Sequence, residues 1–545
     1  MGKAIFNWKV VFIVILCSIT FFVNNRVVVP DIMESRNIVT AREMVYDGNW
    51  IVPTMNGDLR LEKPPLPTWI TAIAEIISPD SLALQRGMAG IAATMLVLFF
   101  FFIAKEFSDK DDLPLVSTLI LTTCYNIILI GRTASWDIYC HAFMLGGIYF
   151  LIKAFKSRKS GMYFISAGIF MGLSCMSKGP VSFYALLLPF IISYYICFTP
   201  SMKGKWKWVL YMVILAIIIG GWWYSYIYIF HHEDMNHVAN KEAGAWLSRS
   251  VRPWYYYWKF FLETGIWSLL LLSAIFLPFW SRKSRSDKSM LFPYLWMFLT
   301  LIFLSLLPEK KSRYLLPILI SASYLCGYLV VYWNELFKVN RSHNLDKIAY
   351  SVNAWLIAII VILLPAPAYY FVYAKGYISL PLFILISMAI EVIGYLLVKS
   401  ASALKPKRFV MEVTALFLFL EAFVLPFAEN IINNPEMDSI SKTRKISEIK
   451  SILFYHNSKD DLRIELVYAA NKKIRPLDVA NSDSVMNHLP MVLLTHKSAS
   501  DELPDELLQK IDTVYIGKSD DNRWSKSDKR YKDDFVYNIT LLKKR

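Results

Sequence analysis

Apolar residues along this chain gather in long runs separated by short polar gaps. Thirteen runs stand out, at approximately 8–24, 82–104, 113–130, 137–153, 162–177, 181–198, 208–230, 262–280, 290–307, 314–335, 349–372, 378–398 and 409–427. Each approaches the roughly 20 residues that carry a helix across about 30 Å of hydrocarbon. The pattern predicts an all-α polytopic membrane protein with about 13 transmembrane helices. Three longer polar segments interrupt it, at 25–81, 231–261 and 428–545. In the last, short runs predict strands over Glu465–Ala469, Met491–Thr495, Thr513–Gly517 and Phe535–Leu542, and a helix over Ser500–Ile511. The expected organisation is a membrane domain over 1–427 and a small soluble α/β domain over 428–545.

Composition agrees: 56% of the residues are hydrophobic and 19% charged, which excludes a disordered or disulfide-stapled chain. The net charge of +15 would suit nucleic acid, but the basic residues sit in alternate gaps. They include Lys153, Lys156, Arg158 and Lys159; Lys203, Lys205 and Lys207; Arg282, Lys283, Arg285 and Lys288; and Lys399, Lys405, Lys407 and Arg408. Those gaps are predicted to be cytoplasmic, with a cytoplasmic amino terminus and an outer carboxyl terminus. The cluster Glu309-Lys310-Lys311-Ser312-Arg313 falls on the outer face against that rule, so something there must neutralise it. Lys3 and Lys9 precede an apolar run like that of a secretory signal, but no small-x-small site follows. The run is expected to stay as the first helix. The six cysteines lie in or beside apolar runs without Cys-x-x-Cys spacing and are expected to be packing residues.

The first outer loop holds most of the candidate chemistry. Ile38, Ala41 and Val45 recur at helical spacing and predict a short amphipathic helix lying on the membrane. Asp31, Glu34 and Arg36 sit at its start, where acidic side chains serve as caps more often than as catalysts. Further on, Leu61-Glu62-Lys63-Pro64-Pro65-Leu66-Pro67 is stiffened by three prolines, which hold Glu62 and Lys63 at a set height or form a plain surface loop.

These segments, Glu34-x-Arg36, Ala41-Arg42-Glu43-Met44-Val45, Gly48-Asn49-Trp50-x-x-Pro53, Asn56-Gly57 and Glu62-Lys63-Pro64-Pro65-Leu66, resemble the bacterial aminoarabinose transferase family. That family is related to the protein O-mannosyltransferases. Arg132-Thr133-Ala134-x-x-Asp137 and Lys310-Lys311-Ser312-Arg313-Tyr314-Leu315-Leu316-Pro317 agree, so the motifs span 31–317. The resemblance implies a membrane glycosyltransferase of the C-type fold. It implies a polyprenyl-phosphate sugar donor and, at the periplasmic face of a bacterial inner membrane, a lipid A, protein or other envelope-glycan acceptor. It places the base in an Asp-Glu pair of the first loop. Here Met33 stands at the Asp position, which leaves Glu34, with Asp31 beside it, and puts the second acidic position at Asp137. It implies donor contacts from Arg36, Lys63, Arg132, Lys310, Lys311, Arg313 and Tyr314, and a metal such as zinc between Glu62 and His231 or His232.

The chemistry wants the same residue types. A hydroxyl nucleophile needs a carboxylate to take its proton, and a departing phosphate needs cations in a partly dry site. Headgroup anchoring is the plainer account of the 309–313 charges, capping that of His231, His232 and His237, and an interfacial belt that of Trp246 and Trp254–Trp258. Two other classes compete: a transporter or flippase of a lipid-linked saccharide, with ionisable residues buried along broken, repeated helices, and a glycolipid-binding scaffold that dispenses with Glu34 and Asp137.

Overall fold

The chain is described by a computed structural model at residues 8–248, 250–276, 288–427, 434 and 436–545, with backbone alone at 245–247 and 289. Arg282, Lys283, Arg285 and the Trp246 side chain lie outside the described residues. Two compact units emerge: Met1–Arg26, Leu61–Pro67 and Leu82–Phe427 form one; Val27–Arg60, Thr68–Ser81 and Ala428–Arg545 form the other. Much of the first outer loop therefore groups with the C-terminal segment, where the sequence had drawn one boundary at 427.

The first unit is helical, and among the described residues helix occupies part of every apolar run read from the sequence. Among the described residues, eight helices are long and apolar enough to cross a membrane by themselves: Leu82–Glu106, Trp136–Lys156, Trp206–Phe230, Trp254–Phe276, Ser312–Lys338, Asn344–Tyr373, Leu380–Ser402 and Pro406–Phe427. Leu113–Thr122 and Tyr125–Gly131 make a ninth if the pair, bent by 68°, is one span. Trp8–Phe22, Phe183–Phe198 and Met290–Leu306 are shorter apolar helices. Ser312–Lys338 is the central helix, 94% of its apolar window being buried, against 17% for Trp206–Phe230. Trp136–Lys156 and Gly161–Lys178 are joined by four residues and pack as a helical hairpin. Gly147 permits the approach, since a Cβ there would lie 2.9 Å from Met171.

In the second unit, the helix Ile32–Asp47 is capped by Asp31, whose carboxylate accepts the amides of Met33 (2.9 Å) and Glu34 (2.8 Å). Asn56 and Gly57, both at positive φ, turn the hairpin β1 (Thr54–Met55) and β2 (Asp58–Leu59). A five-stranded sheet follows, made of β3 (Leu453–Asn457), β4 (Ile474–Leu477), β5 (Met491–Thr495), β6 (Ile511–Asp520) and β7 (Val536–Lys544). Its order is β4-β3-β5-β7-β6, with β3 parallel to β4 and β5, and β7 antiparallel to β5 and β6.

Three expectations are corrected here. Ile32–Asp47 is no surface helix, for every residue from Glu34 to Met44 except Arg36 is buried. Some of its polar side chains bond within the unit: Asn37 bonds Thr71 (2.9 Å) and Thr68 (2.8 Å), and Glu43 accepts from Thr54 (2.6 Å). Glu465–Ala469 lies in a helix, Ile464–Ala470, because the parallel pair β3–β4 needs a crossover. Ser500–Ile511 holds two single helical turns, Ala499–Glu502 and Asp505–Leu508, divided by Leu503 and Pro504, and its last residue already begins β6. The pattern also missed the helix Leu66–Ile77, which carries Pro67 in its first turn, where a missing N–H costs nothing.

Candidate active site

In the first unit, the candidate site begins at two helix ends. Asp137 is the second residue of Trp136–Lys156, and Lys178 is the last of Gly161–Lys178. A carboxylate is favoured at a helix start and an ammonium at a helix end, so each charge suits its own dipole. The antiparallel hairpin then brings the two together as a buried ion pair, with side-chain exposures of 2% and 6%. Gly179, at φ 77°, ends the second helix directly after Lys178. Ser174 ties the junction by donating to the Cys140 carbonyl (2.7 Å) and meeting Ser182 (2.6 Å). Asp137 Oδ2 keeps no hydrogen-bond partner among the described residues.

Beside this pair stands Tyr314. Its ring centroid lies 4.8 Å from Lys178 Nζ, 5.8 Å from Lys311 Nζ and 5.7 Å from Arg313 Cζ. Arg313 also acts electrostatically on Asp137. Glu309 pairs with Lys311 and accepts from the Tyr314 hydroxyl at 3.4 Å. Three cations thus face two carboxylates around one aromatic ring, a concentration of donors suited to an oxyanion. The loop bearing them is fixed from behind. Tyr257, 1% exposed, accepts the Lys311 amide (2.9 Å) and donates to the Lys311 carbonyl (3.2 Å). Val251 and Glu309 form a β-bridge.

The structure redistributes several roles read from the sequence. Lys310 turns inward, donating to the carbonyls of Leu307 and Arg252 (3.1 Å), and burial pushes its ammonium below the usual range. It pins the backbone of the loop. Arg132 donates to the carbonyls of Thr20 and Val23 (2.6 Å), closing the end of the first helix. Lys63 lies 3.6 Å from Glu242. Asp31 has spent its carboxylate on the cap, whereas Glu34 is fully buried and Arg36 half-buried, both in the second unit. Lys178, Glu309 and Tyr257 were missed, although a lysine before Gly179-Pro180 inside apolar sequence is itself a signal.

The residues expected to hold a metal are Glu62 with His231 or His232. Among the described residues, no three His, Cys, Asp or Glu side chains are grouped to hold one. His231 faces Asp234 at 3.7 Å, and His232 is 2.9 Å from Asn236, both partners lying near the start of the helix His232–Ser248.

Fold and site define a class, a polytopic membrane protein built on the C-type glycosyltransferase fold. ArnT from Cupriavidus metallidurans, in its crystal structure bound to undecaprenyl phosphate, superposes with a TM-score of 0.67 over 98% of both chains, at 14% identity. The model of the dolichyl-phosphate-mannose-protein mannosyltransferase family matches residues 62–224. An undecaprenyl phosphate-alpha-4-amino-4-deoxy-L-arabinose arabinosyl transferase 1 of Pseudomonas fluorescens is 25% identical over 78% of this chain and 74% of its own. An arabinosyl transferase of the same description from Pseudomonas savastanoi is 26% identical, over 63% of this chain and 64% of its own. An uncharacterized Aquifex aeolicus protein is 24% identical, over 57% of this chain and 61% of its own. Family model, relatives and fold agree in one direction: the chain is similar to the ArnT-like membrane glycosyltransferases.

Proposed function

We propose that this chain transfers a sugar from a polyprenyl-phosphate donor to an envelope acceptor, lipid A foremost, at the periplasmic face of a bacterial inner membrane. The observation that carries the reading is the convergence of Lys178, Lys311 and Arg313 on Tyr314 beside the buried Asp137. In the proposed reaction the acceptor oxygen bonds to the anomeric carbon as the bond from that carbon to the phosphate oxygen breaks. The phosphate leaves with the electron pair, and those cations stabilise the charge it gains. A carboxylate takes the acceptor proton. Glu34 is the proposed base, Asp137 the second acidic group, and Arg36 and Lys63 are further donor contacts. Residues 1–427, the outer loops 25–81 and 231–261 included, perform the transfer.

The test supplies the purified full chain with lipid A and, in turn, a pentosyl and a hexosyl polyprenyl phosphate or the matching nucleotide sugars. Product should form from a polyprenyl phosphate alone, and whichever sugar is transferred sets the specificity. Robust transfer from a nucleotide sugar overturns the donor assignment. The bent pair Leu113–Thr122 and Tyr125–Gly131 is the feature a flippase would use. Translocation of intact donor in vesicles without any transfer would establish that second reading.

A further inference from the structure

The end of helix Trp136–Lys156 remote from Asp137 has a feature that the transfer reaction leaves unused. Lys156 is the last residue of this 21-residue helix. At 1.5 Å per residue it lies about 30 Å from Asp137, roughly the thickness of the hydrocarbon layer. There a surface cavity of about 480 Å³ opens between the ends of three helices, Leu82–Glu106, Trp136–Lys156 and Leu188–Phe198. Its walls include four aromatic rings. Phe107 and Phe198 stack at 5.0 Å, Tyr194 lies 5.5 Å from Phe198, and Phe155 lies 6.1 Å from Tyr194. Its polar lining comes from Glu106, Asp109, Lys156, Thr199 and Ser201.

Charge decides what such a cavity can hold. Glu106 receives both Lys153 (2.9 Å) and Lys156 (3.0 Å), so two cations meet one carboxylate. Lys205 donates to the Ala154 (3.0 Å) and Phe155 (2.5 Å) carbonyls, cancelling the negative pole of the helix end. Exposed Arg158, Lys159, Lys203 and Lys207 add to the positive field, with Asp109 in opposition. Directly after the wall residue Tyr194 on the third helix, Tyr195 and Ile196 are 63% and 55% exposed. Neighbouring cations, an aromatic wall and exposed apolar side chains beside it are the three features that a phospholipid's headgroup, glycerol and acyl chains need.

We propose that this cavity binds one anionic phospholipid. Its phosphodiester lies at Lys156 and the Thr199 and Ser201 hydroxyls, and its glycerol lies against Phe107 and Phe198. Basic residues in this gap also follow from the topology rule alone, which predicts a diffuse ring of charge and no discrete site.

Native mass spectrometry of the purified full chain, titrated separately with phosphatidylglycerol, phosphatidylcholine and inorganic phosphate, separates the two. One phosphatidylglycerol should stay bound per chain, displaced by neither of the others. Lys156→Gln should weaken it about five-fold, the effect of one charge at such a surface, and Lys156→Arg should restore it. Ser201→Trp, which fills the cavity without altering charge, should abolish it, while Lys399→Gln, in another basic gap, should leave it intact. Equal losses in Lys156→Gln and Lys399→Gln, retention of phosphatidylcholine as strong as that of phosphatidylglycerol, or displacement by inorganic phosphate would each overturn the proposal. Should Ser201→Trp not fold, the Lys156 and Lys399 pair decides alone.

Discussion

Lys178 stands 41 positions beyond Asp137, and only the antiparallel packing of two helices makes them partners. Neither charge belongs in an apolar bundle by itself, and together they hold an acidic and a basic group in one dry place. Lys178→Met should abolish transfer, by roughly 10²–10⁴-fold if the lysine supports proton transfer or leaving-group charge. It should also destabilise the chain by about 3–5 kcal/mol, because a buried carboxylate loses its counter-ion. The double variant with Asp137→Asn should recover much of the stability and none of the activity. Thermal unfolding and single-turnover transfer, measured in parallel, check both halves. Near-normal turnover in the double variant would make the pair purely structural. Glu34 allows a cleaner trial than its position in the sequence promised, since Asp31 has taken the capping role. Glu34→Gln should therefore leave the cap intact and lower transfer by roughly 10²–10⁴-fold. Turnover near the wild-type value in purified protein would remove Glu34 as the base.

Among the elements, the C-terminal sheet carries its own pH dependence. Arg463 bridges Asp521 (2.8 Å) and Glu465 (3.0 Å) at the start of the helix Ile464–Ala470. Burial outweighs that pairing and pushes the Asp521 carboxyl up to about 6, with Glu465 and Asp520 acting in the same direction and Arg523 against it. A folded value above the unfolded value of about 3.9 means that the folded state holds the proton more tightly. The resulting stabilisation is complete below about pH 4 and is lost as pH rises through 6, by roughly 2–3 kcal/mol. Unfolding profiles of wild type and Asp521→Asn should diverge progressively from pH 4 to pH 7 in favour of the Asn variant. A pH-independent difference would mean that Asp521 titrates normally. The same region shows where periodicity misleads. Ile464, Leu466, Val467 and Ala470 are buried on one helical face, yet over so short a run their spacing also satisfies an alternating strand.

For the whole molecule, the basic gaps set an orientation with the carboxyl-terminal segment outside the cytoplasm as the expectation. A reporter fused after residue 430 should be active only outside the cytoplasm, and one inserted at 203 only inside. The reverse at both sites would put the candidate site on the wrong face for a periplasmic acceptor. The sequence by itself determined that the chain crosses a membrane repeatedly, because runs of apolar residues report the solvent around a helix without reference to any other part of the fold. It also marked Asp137, Lys311, Arg313 and Tyr314 as candidates, through the motifs that resemble the aminoarabinose transferase family. Tertiary structure decided what those side chains meet. The Lys178 partnership, the inward turn of Lys310, the Tyr257 bonds to the Lys311 backbone and the burial of Ile32–Asp47 all join residues distant in sequence. Local patterns record which face of an element prefers water, whereas the partner of a buried polar group is set by whichever distant segment packs against it.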